Sequence, residues 1–377
     1  MSANASVQAP KRLLFGPGPT MVEPRVYQAL SQPVVGHLDP YFFEVAGEVR
    51  ELLRQVFGTR NEVTLAVSGT GSSGMETAVA NFVEPGTRVA VFANGYFCDR
   101  ITEMAKRQGG DVSRLEKPWG ATFSAVEAQE FVDRIKPHVV AFVHAETSTG
   151  ALQPAKPICD AGHSVGAIVI ADTVTSLGAV PVNVDENEID IAYSCTQKGL
   201  SCPSGLAPIT VSPRAMERLR SRRTTPQSWY LDLKLLLEYY DGRKYHHTAS
   251  STLFYALREG LQAIVDEGIE KRFERHQRAH QAFVAAMAEL GIGMHVPEGY
   301  RIPNLNTPRV PAGVDDAAVR RYLLQKHGIE IAGGFGPLAG KIFRVGLMGP
   351  LATEDSVRLF VSTFQEALNE VPSTVPA

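Results

Sequence analysis

The stretch Asp190-Ile-Ala-Tyr-Ser-Cys-Thr-Gln-Lys198-Gly199 reads as a short buried strand, carried by Ile189, Ile191 and Tyr193, that runs into a polar turn and stops at a lysine. Beside apolar neighbours, desolvation disfavours the ammonium and lowers its pKa. A neutral amine is what a lysine needs to form a Schiff base with an aldehyde cofactor. Taken alone, a lysine after a strand is more commonly a solvated surface charge, so the weight of Lys198 rests on its neighbours.

One strand earlier, Ala167-Ile-Val-Ile-Ala-Asp172-Thr-Val174 ends an apolar run in an acid. Open α/β sheets place ligands at the carboxyl ends of their strands, so Asp172 and Lys198 are expected to approach one ligand from neighbouring strands. Against a pyridoxal-type ring, a carboxylate there pairs with the pyridine nitrogen and makes the ring an electron sink. The competing reading is an Asp that caps the following turn.

Further upstream, Val63-Thr-Leu-Ala-Val-Ser68-Gly69-Thr70-Gly71-Ser72-Ser73-Gly74 leads a strand through a glycine-rich turn into a helix. The first amides of a helix lack internal partners and carry the positive end of its dipole. Thr70 and Ser72 add hydroxyls, so the turn suits a phosphate. It also spells Gly69-x-Gly71-x-x-Gly74, the dinucleotide fingerprint. A dinucleotide fold wants an acid about 20 positions on, at the end of the next strand, but Val89-Ala-Val-Phe-Ala-Asn94 ends in asparagine. Glycines that only make a tight turn are the plainer alternative.

Val143-His144-Ala-Glu146-Thr147-Ser148-Thr149-Gly150 closes another strand. Thr147 could bond a phenolic ring oxygen or a substrate carboxylate, and His144 reads as packed or capped rather than as a base. Last, Ile342-Phe343-Arg344-Val345-Gly346 sets an arginine inside an apolar strand. A buried guanidinium needs a partner, and its planar fork fits a carboxylate in two parallel bonds. That carboxylate is either a substrate's or a protein acid's.

The 377 residues exceed one simple core and imply about two domains. With 44% hydrophobic residues, 20% charged and a net charge of −3, nothing points to nucleic acid or an anionic membrane as partner. No apolar run approaches the ~20 residues of a membrane span. The opening Met1-Ser-Ala-Asn-Ala-Ser-Val-Gln-Ala-Pro10 lacks the pattern of a secretory signal, and the closing Ser373-Thr-Val-Pro-Ala377 is no peroxisomal address. Cys98, Cys159, Cys195 and Cys202 form no Cys-x-x-Cys pair and no zinc spacing. They read as reduced thiols in a cytosolic protein, and no metal site is expected.

Near-continuous apolar runs predict strands at Val63–Val67, Val89–Phe92, Val139–Val143, Ile168–Ala171, Ile189–Tyr193 and Ala207–Val211, covered on both faces. Helical patterns lie between them at Pro40–Phe57, Ser73–Phe82, Asp99–Gln108, Ala125–Ile135 and Pro213–Arg220. Such βα alternation implies a largely parallel sheet flanked by helices. After Arg223, loops at Gln227–Tyr230 and Tyr239–Thr248 lead into helix from Thr252 to about Leu290. Strand-like pieces follow at Ile329–Ala332 and Ile342–Leu347, with a last helix near Glu354–Leu368. The C-terminal part reads as a smaller α+β domain.

Together these segments resemble the class V aminotransferases of fold type I, in their alanine–glyoxylate and serine–pyruvate branch. The likeness begins at Leu14-Phe-Gly-Pro-Gly-Pro-Thr20, passes through Gly58-Thr59-Arg60-Asn61 and ends near the final helix. Its specific carriers are the Gln197-Lys198 pair and Tyr245-His-His-Thr248. The resemblance implies an N-terminal arm (1–20), a large cofactor domain (21–267) with a mostly parallel seven-stranded sheet, and a small α+β domain (268–377). It implies pyridoxal 5′-phosphate as cofactor, with Lys198 as the lysine bonded to it and Asp172 as partner of its pyridine nitrogen. Thr70, Gly71, Ser72 and Gln197 match positions around the phosphate. Thr147 matches a hydroxyl near the ring oxygen, and Val174 a position packing under the ring. Arg344 matches the arginine for the substrate's α-carboxylate. Tyr245 and Thr248 match a loop that reaches the neighbouring subunit's phosphate, which implies a homodimer.

Two departures stand out. Phe97 replaces a tryptophan stacked on the cofactor in eukaryotic members, and Ser72 replaces a histidine. The phenyl ring can still stack offset, over less area. The expected reaction moves an amino group from alanine or serine to glyoxylate or pyruvate by a ping-pong cycle. Alternatives are a serine–glyoxylate or aspartate-using transaminase, a cysteine desulfurase-like lyase, a nicotinamide dehydrogenase and a non-catalytic relative. The lyase wants a nucleophilic cysteine in the C-terminal part, but no cysteine follows Cys202.

Overall fold

A computed structural model describes residues 7–372; the expectations for the first six residues and for Ser373–Ala377 lie outside the described residues. Seven strands form the main sheet: β1 (Val63–Ser68), β2 (Arg88–Ala93), β3 (Asp111–Glu116), β4 (Val139–Val143), β5 (Ile168–Asp172), β6 (Ile191–Tyr193) and β7 (Leu206–Val211). Their order is β1-β7-β6-β5-β4-β2-β3, and only β7 runs antiparallel to its neighbours. The central strands β4 to β7 are buried at every position, which is why they read as unbroken apolar runs.

The strand β3 does not show in that reading. Its sequence Asp-Val-Ser-Arg-Leu-Glu has no buried residue and lies at the sheet edge, where polar side chains meet water and guard against pairing with another chain. Two helices begin earlier than their apolar patterns. They are α1 (Gly71–Phe82), whose first turn is the glycine-rich segment, and α2 (Tyr96–Arg107), which takes in Phe97.

Helices α3 (Ser251–Glu267) and α4 (Ile269–Glu289) meet at Gly268. Beyond them, β8 (Leu305–Asn306), β9 (Ala332–Gly333) and β10 (Phe343–Gly346) make a small sheet in the order β8-β10-β9, and α5 (Glu354–Glu370) covers it. The predicted strand Ile329–Ala332 is split: Ile329–Glu330 pairs in parallel with Leu13–Leu14, and Ala332 begins β9. Two large apolar cores dominate the described residues, one from Ala29 to Ile264 around the main sheet and one gathering Phe283, Phe343, Phe360 and Phe364. Phe15 belongs to the second core, fully buried against Phe360 with ring centroids 5.3 Å apart. Burying such a ring contributes about 1.5–3 kcal/mol.

Candidate active site

The parallel strands end along one edge of the sheet, and a candidate group stands at every end but that of the edge strand β3: Thr70–Ser72 after β1, Phe97 after β2, Thr147 after β4, Asp172 on β5 and Lys198 after β6. They surround a cavity of about 660 Å³, which Phe335 and Arg344 also line. Every expected site residue lines it except Tyr245 and Thr248.

Lys198 is 6% exposed. Its Nζ donates to Thr147 Oγ1 at 2.6 Å and to Thr175 Oγ1 at 3.0 Å. Both partners are neutral, and burial lowers the amine's pKa from the ordinary lysine value. A Cβ on Gly18 (φ 112°) would lie 2.9 Å from Lys198 Cγ, so glycine lets the N-terminal segment cross the lysine stem. From the other side, the buried Arg272 of α4 donates to the carbonyls of Gly178 and Gly199, each at 2.9 Å, and so pins the turn after the lysine.

Asp172 Oδ1 accepts from the Val174 amide and Oδ2 from Tyr193 Oη, both at 2.9 Å. The first bond is the turn cap; the rest of the carboxylate remains for a ligand, so the two readings of Asp172 coexist. Burial raises its pKa to about 6. Behind Phe97, the fully buried Glu146 accepts from Ser148 and from the Phe97 amide, and burial raises it to about 7. His144 bonds Ser176 Oγ at 2.9 Å, and burial lowers it to about 4, as suits a packed histidine.

At one end of the cavity, Gly69 (φ 132°) turns the chain into α1, where a Cβ would meet Ser73 Oγ at 2.5 Å. The Gly71 and Ser72 amides precede the first intrahelical bond. Arg100 on α2 donates to Ser72 Oγ at 3.1 Å. From the small sheet, Arg344 Nε donates to the Gly333 carbonyl at 2.8 Å, and the guanidinium lies 4.0 Å from the Phe335 ring centroid. No acid among the described residues pairs with Arg344, and burial lowers its pKa to about 10. The cationic fork is therefore open to a ligand carboxylate.

Tyr245 is 58% exposed, with its ring 5.3 Å from that of His37, and Thr248 is also exposed. Their loop is tied to the end of β1 by His247 Nε2, 2.7 Å from Ser68 Oγ. Sequence reading missed Arg100, Thr175, Tyr96 and Phe335. Arg100 had a signal, standing three residues after Phe97 on one helix face; Phe335 had none.

This donor set suits pyridoxal phosphate. A desolvated amine and a buried carboxylate share the cavity, a helix start with free amides and hydroxyls closes one end, and Gln197 leaves Oε1 buried without a partner. An amide so placed can turn to offer a ligand either a donor or an acceptor.

Comparison with known proteins agrees. The profile of the family described as Aminotransferase class-V matches residues 12–355. The (S)-ureidoglycine–glyoxylate transaminase of Bacillus subtilis is 38% identical over 98% of this chain and 93% of its own length. The alanine–glyoxylate aminotransferase of Drosophila melanogaster is 38% identical over 95% of this chain and 93% of its own. The crystal structure of an alanine–glyoxylate aminotransferase from Nostoc sp. superposes with a TM-score of 0.95 at 45% identity, covering 97% of each chain. A family-wide profile match, near full-length relatives and a cavity whose donors suit the cofactor converge: the chain belongs to the class V aminotransferases, pyridoxal-phosphate-dependent enzymes of fold type I.

Proposed function

We propose that this enzyme moves an amino group from a small amino acid, alanine or serine, to glyoxylate or pyruvate in a ping-pong cycle, with Lys198 and Asp172 as its catalytic residues. The observation that carries this reading is the distribution of positive charge in the cavity. The lining cations are Arg100, Lys198 and Arg344; Arg100 donates to Ser72 beside the glycine-rich turn, whereas Arg344, with no acid partner among the described residues, stands over Phe335 on the small sheet. One fork binds one carboxylate, and Phe335 with Tyr96, rings 5.0 Å apart, narrows the space beside it. A small monocarboxylate suits that space.

Thr70, Gly71, Ser72 and Gln197 would hold the cofactor's phosphate, Asp172 its ring nitrogen, Thr147 its phenolic oxygen, and Phe97 and Val174 the faces of its ring. Bound there, pyridoxal phosphate supplies an electron sink for the charge left at the donor's Cα. Arg344 grips the donor's carboxylate and fixes the direction of the Cα–H bond. Lys198 Nζ takes that proton, its pKa already lowered by burial, and gives a proton back to the acceptor's Cα in the reverse half. The Thr147 and Thr175 hydroxyls seat the amine between these transfers.

The same proposal includes a homodimer, supported by the exposure of Tyr245 and Thr248, and an arm at 1–20 with domains at 21–267 and 268–377, supported by the two cores. Cytosolic placement is supported by four unpaired thiols; among the described residues no helix is long and apolar enough to cross a membrane. A second reading, (S)-ureidoglycine as donor, is favoured by the Bacillus relative. All four thiols are buried and none lines the cavity, which speaks against a desulfurase.

The test is loss of the yellow cofactor absorbance on mixing with single donors, without acceptor. Alanine or serine should bleach it fastest. Aspartate bleaching faster than either would overturn the monocarboxylate reading, and (S)-ureidoglycine leading would favour the second. Intersecting rather than parallel double-reciprocal plots would overturn the ping-pong cycle.

A further inference from the structure

We propose that Arg100 is the counter-cation of the cofactor's phosphate, reached through Ser72. The inference rests on the assignment of Thr70–Ser72 as the phosphate cradle and adds the charge that cradle lacks.

A phosphate monoester carries about 1.5 to 2 negative charges near neutral pH. Hydroxyls carry none to offset it, and a helix start offers only about half a positive charge. The other cavity cations stand beside other groups: Lys198 donates to Thr147 and Thr175, and Arg344, read above as the grip on the donor's carboxylate, lies over the Phe335 ring. Arg100 is the cation at the Ser72 end, with its Nη1 donating to Ser72 Oγ.

Its own surroundings leave it free for this. The adjacent acid, Asp99, is taken by Arg114 at 2.6 Å, and no acid among the described residues pairs with Arg100. Its guanidinium lies 5.1 Å from the Phe97 ring centroid and 5.4 Å from that of Tyr96, which steadies the head without using its N–H donors. Arginine carries five such donors in a fixed fork that matches phosphate oxygens. Ser72 then serves as a neutral hinge between the cation and the cradle.

The test titrates the full-length enzyme, freed of cofactor, with pyridoxal phosphate and separately with pyridoxal, which lacks the phosphate. Absorbance and tryptophan fluorescence report binding. Arg100→Gln should weaken pyridoxal phosphate roughly 10- to 100-fold, the worth of a charge-assisted hydrogen bond. Its affinity for pyridoxal should match wild type, and Arg100→Lys should recover most of the loss. Equal weakening of both ligands would show a structural role and overturn the proposal. So would unchanged pyridoxal phosphate binding, with or without a raised KM for a dicarboxylic amino acid. If wild type itself showed no preference for pyridoxal phosphate over pyridoxal, the cradle assignment would fall and the proposal with it. That result is distinct from a wild type with the preference and an Arg100→Gln variant that keeps it.

Discussion

The wall of the cavity that carries Lys198 and Asp172 and the wall that carries Arg344 rest on different supports. Asp172 and Tyr193 are register partners on adjacent buried strands, and Tyr193 also bonds the carboxylate. Lys198 is seated on two hydroxyls, crossed by Gly18 and backed by the Arg272 clamp. Arg344 sits on a four-residue strand between two strands of two residues, and its head is held by one good hydrogen bond and the face of Phe335. A side chain fixed by several hydrogen bonds and close packing is placed more rigidly than one fixed by few. On the function proposed above, the groups that move the proton have the more firmly tethered wall, and the group that selects the substrate has the more adaptable one.

Substitutions on the two walls should differ in kind. Lys198→Ala should cause the largest loss, at least about 10³-fold in kcat, because the base itself goes; it should also abolish the covalent trapping of cofactor by borohydride. Asp172→Asn should cost roughly 10²- to 10³-fold in kcat with a nearly unchanged melting temperature. Its pH dependence follows from burial. Burial pushes the carboxyl's pKa up to about 6, above the usual carboxylate range, so it gains a proton and loses its charge as pH falls through 6. Cofactor affinity should then drop between about pH 7 and pH 5 more steeply in wild type than in Asp172→Asn, as equilibrium titration would show. Equal slopes would remove Asp172 from cofactor binding.

On the other wall, Arg344→Lys should raise KM for alanine about 10- to 100-fold and move kcat only a few-fold, since a point charge replaces a fork. The smallest effect is expected from Phe335→Leu, about 2- to 10-fold in kcat/KM through loss of the ring under the guanidinium, with larger donors gaining on alanine. A large fall in kcat without change in KM for either variant would erase the distinction between the walls.

That distinction also marks what the sequence made legible. Strands β4 to β7 announce themselves because burial on both faces leaves unbroken apolar runs, and Asp172 and Lys198 stand out as polar residues at their ends. Arg344 was visible by the same contrast. The edge strand β3 was hidden because half of its environment is water. Thr175 and Phe335 were hidden for another reason: their value lies in what they touch, Lys198 Nζ and the Arg344 guanidinium, and no local sequence pattern announces those contacts. Tyr245 and Thr248 were recognisable by motif, yet a single chain leaves them at the surface.

The N-terminal segment has a consequence for the order of assembly. Leu13–Leu14 pairs with Ile329–Glu330, Phe15 enters the second core, Gly18 crosses Lys198, and Thr20 bonds the Met348 carbonyl across 328 positions. During synthesis, Leu13–Leu14 and Phe15 lack these partners until the residues from 329 onward have been made. The main sheet can form first from neighbouring βα units, whose contacts are comparatively local, whereas this suture has among the highest sequence separations in the molecule. The segment over Lys198 is thus anchored on its far side only after residue 348 has been made, so a ribosome stalled before residue 329 would hold a folded sheet whose lysine cover is tied only at Gln197 and Ser201.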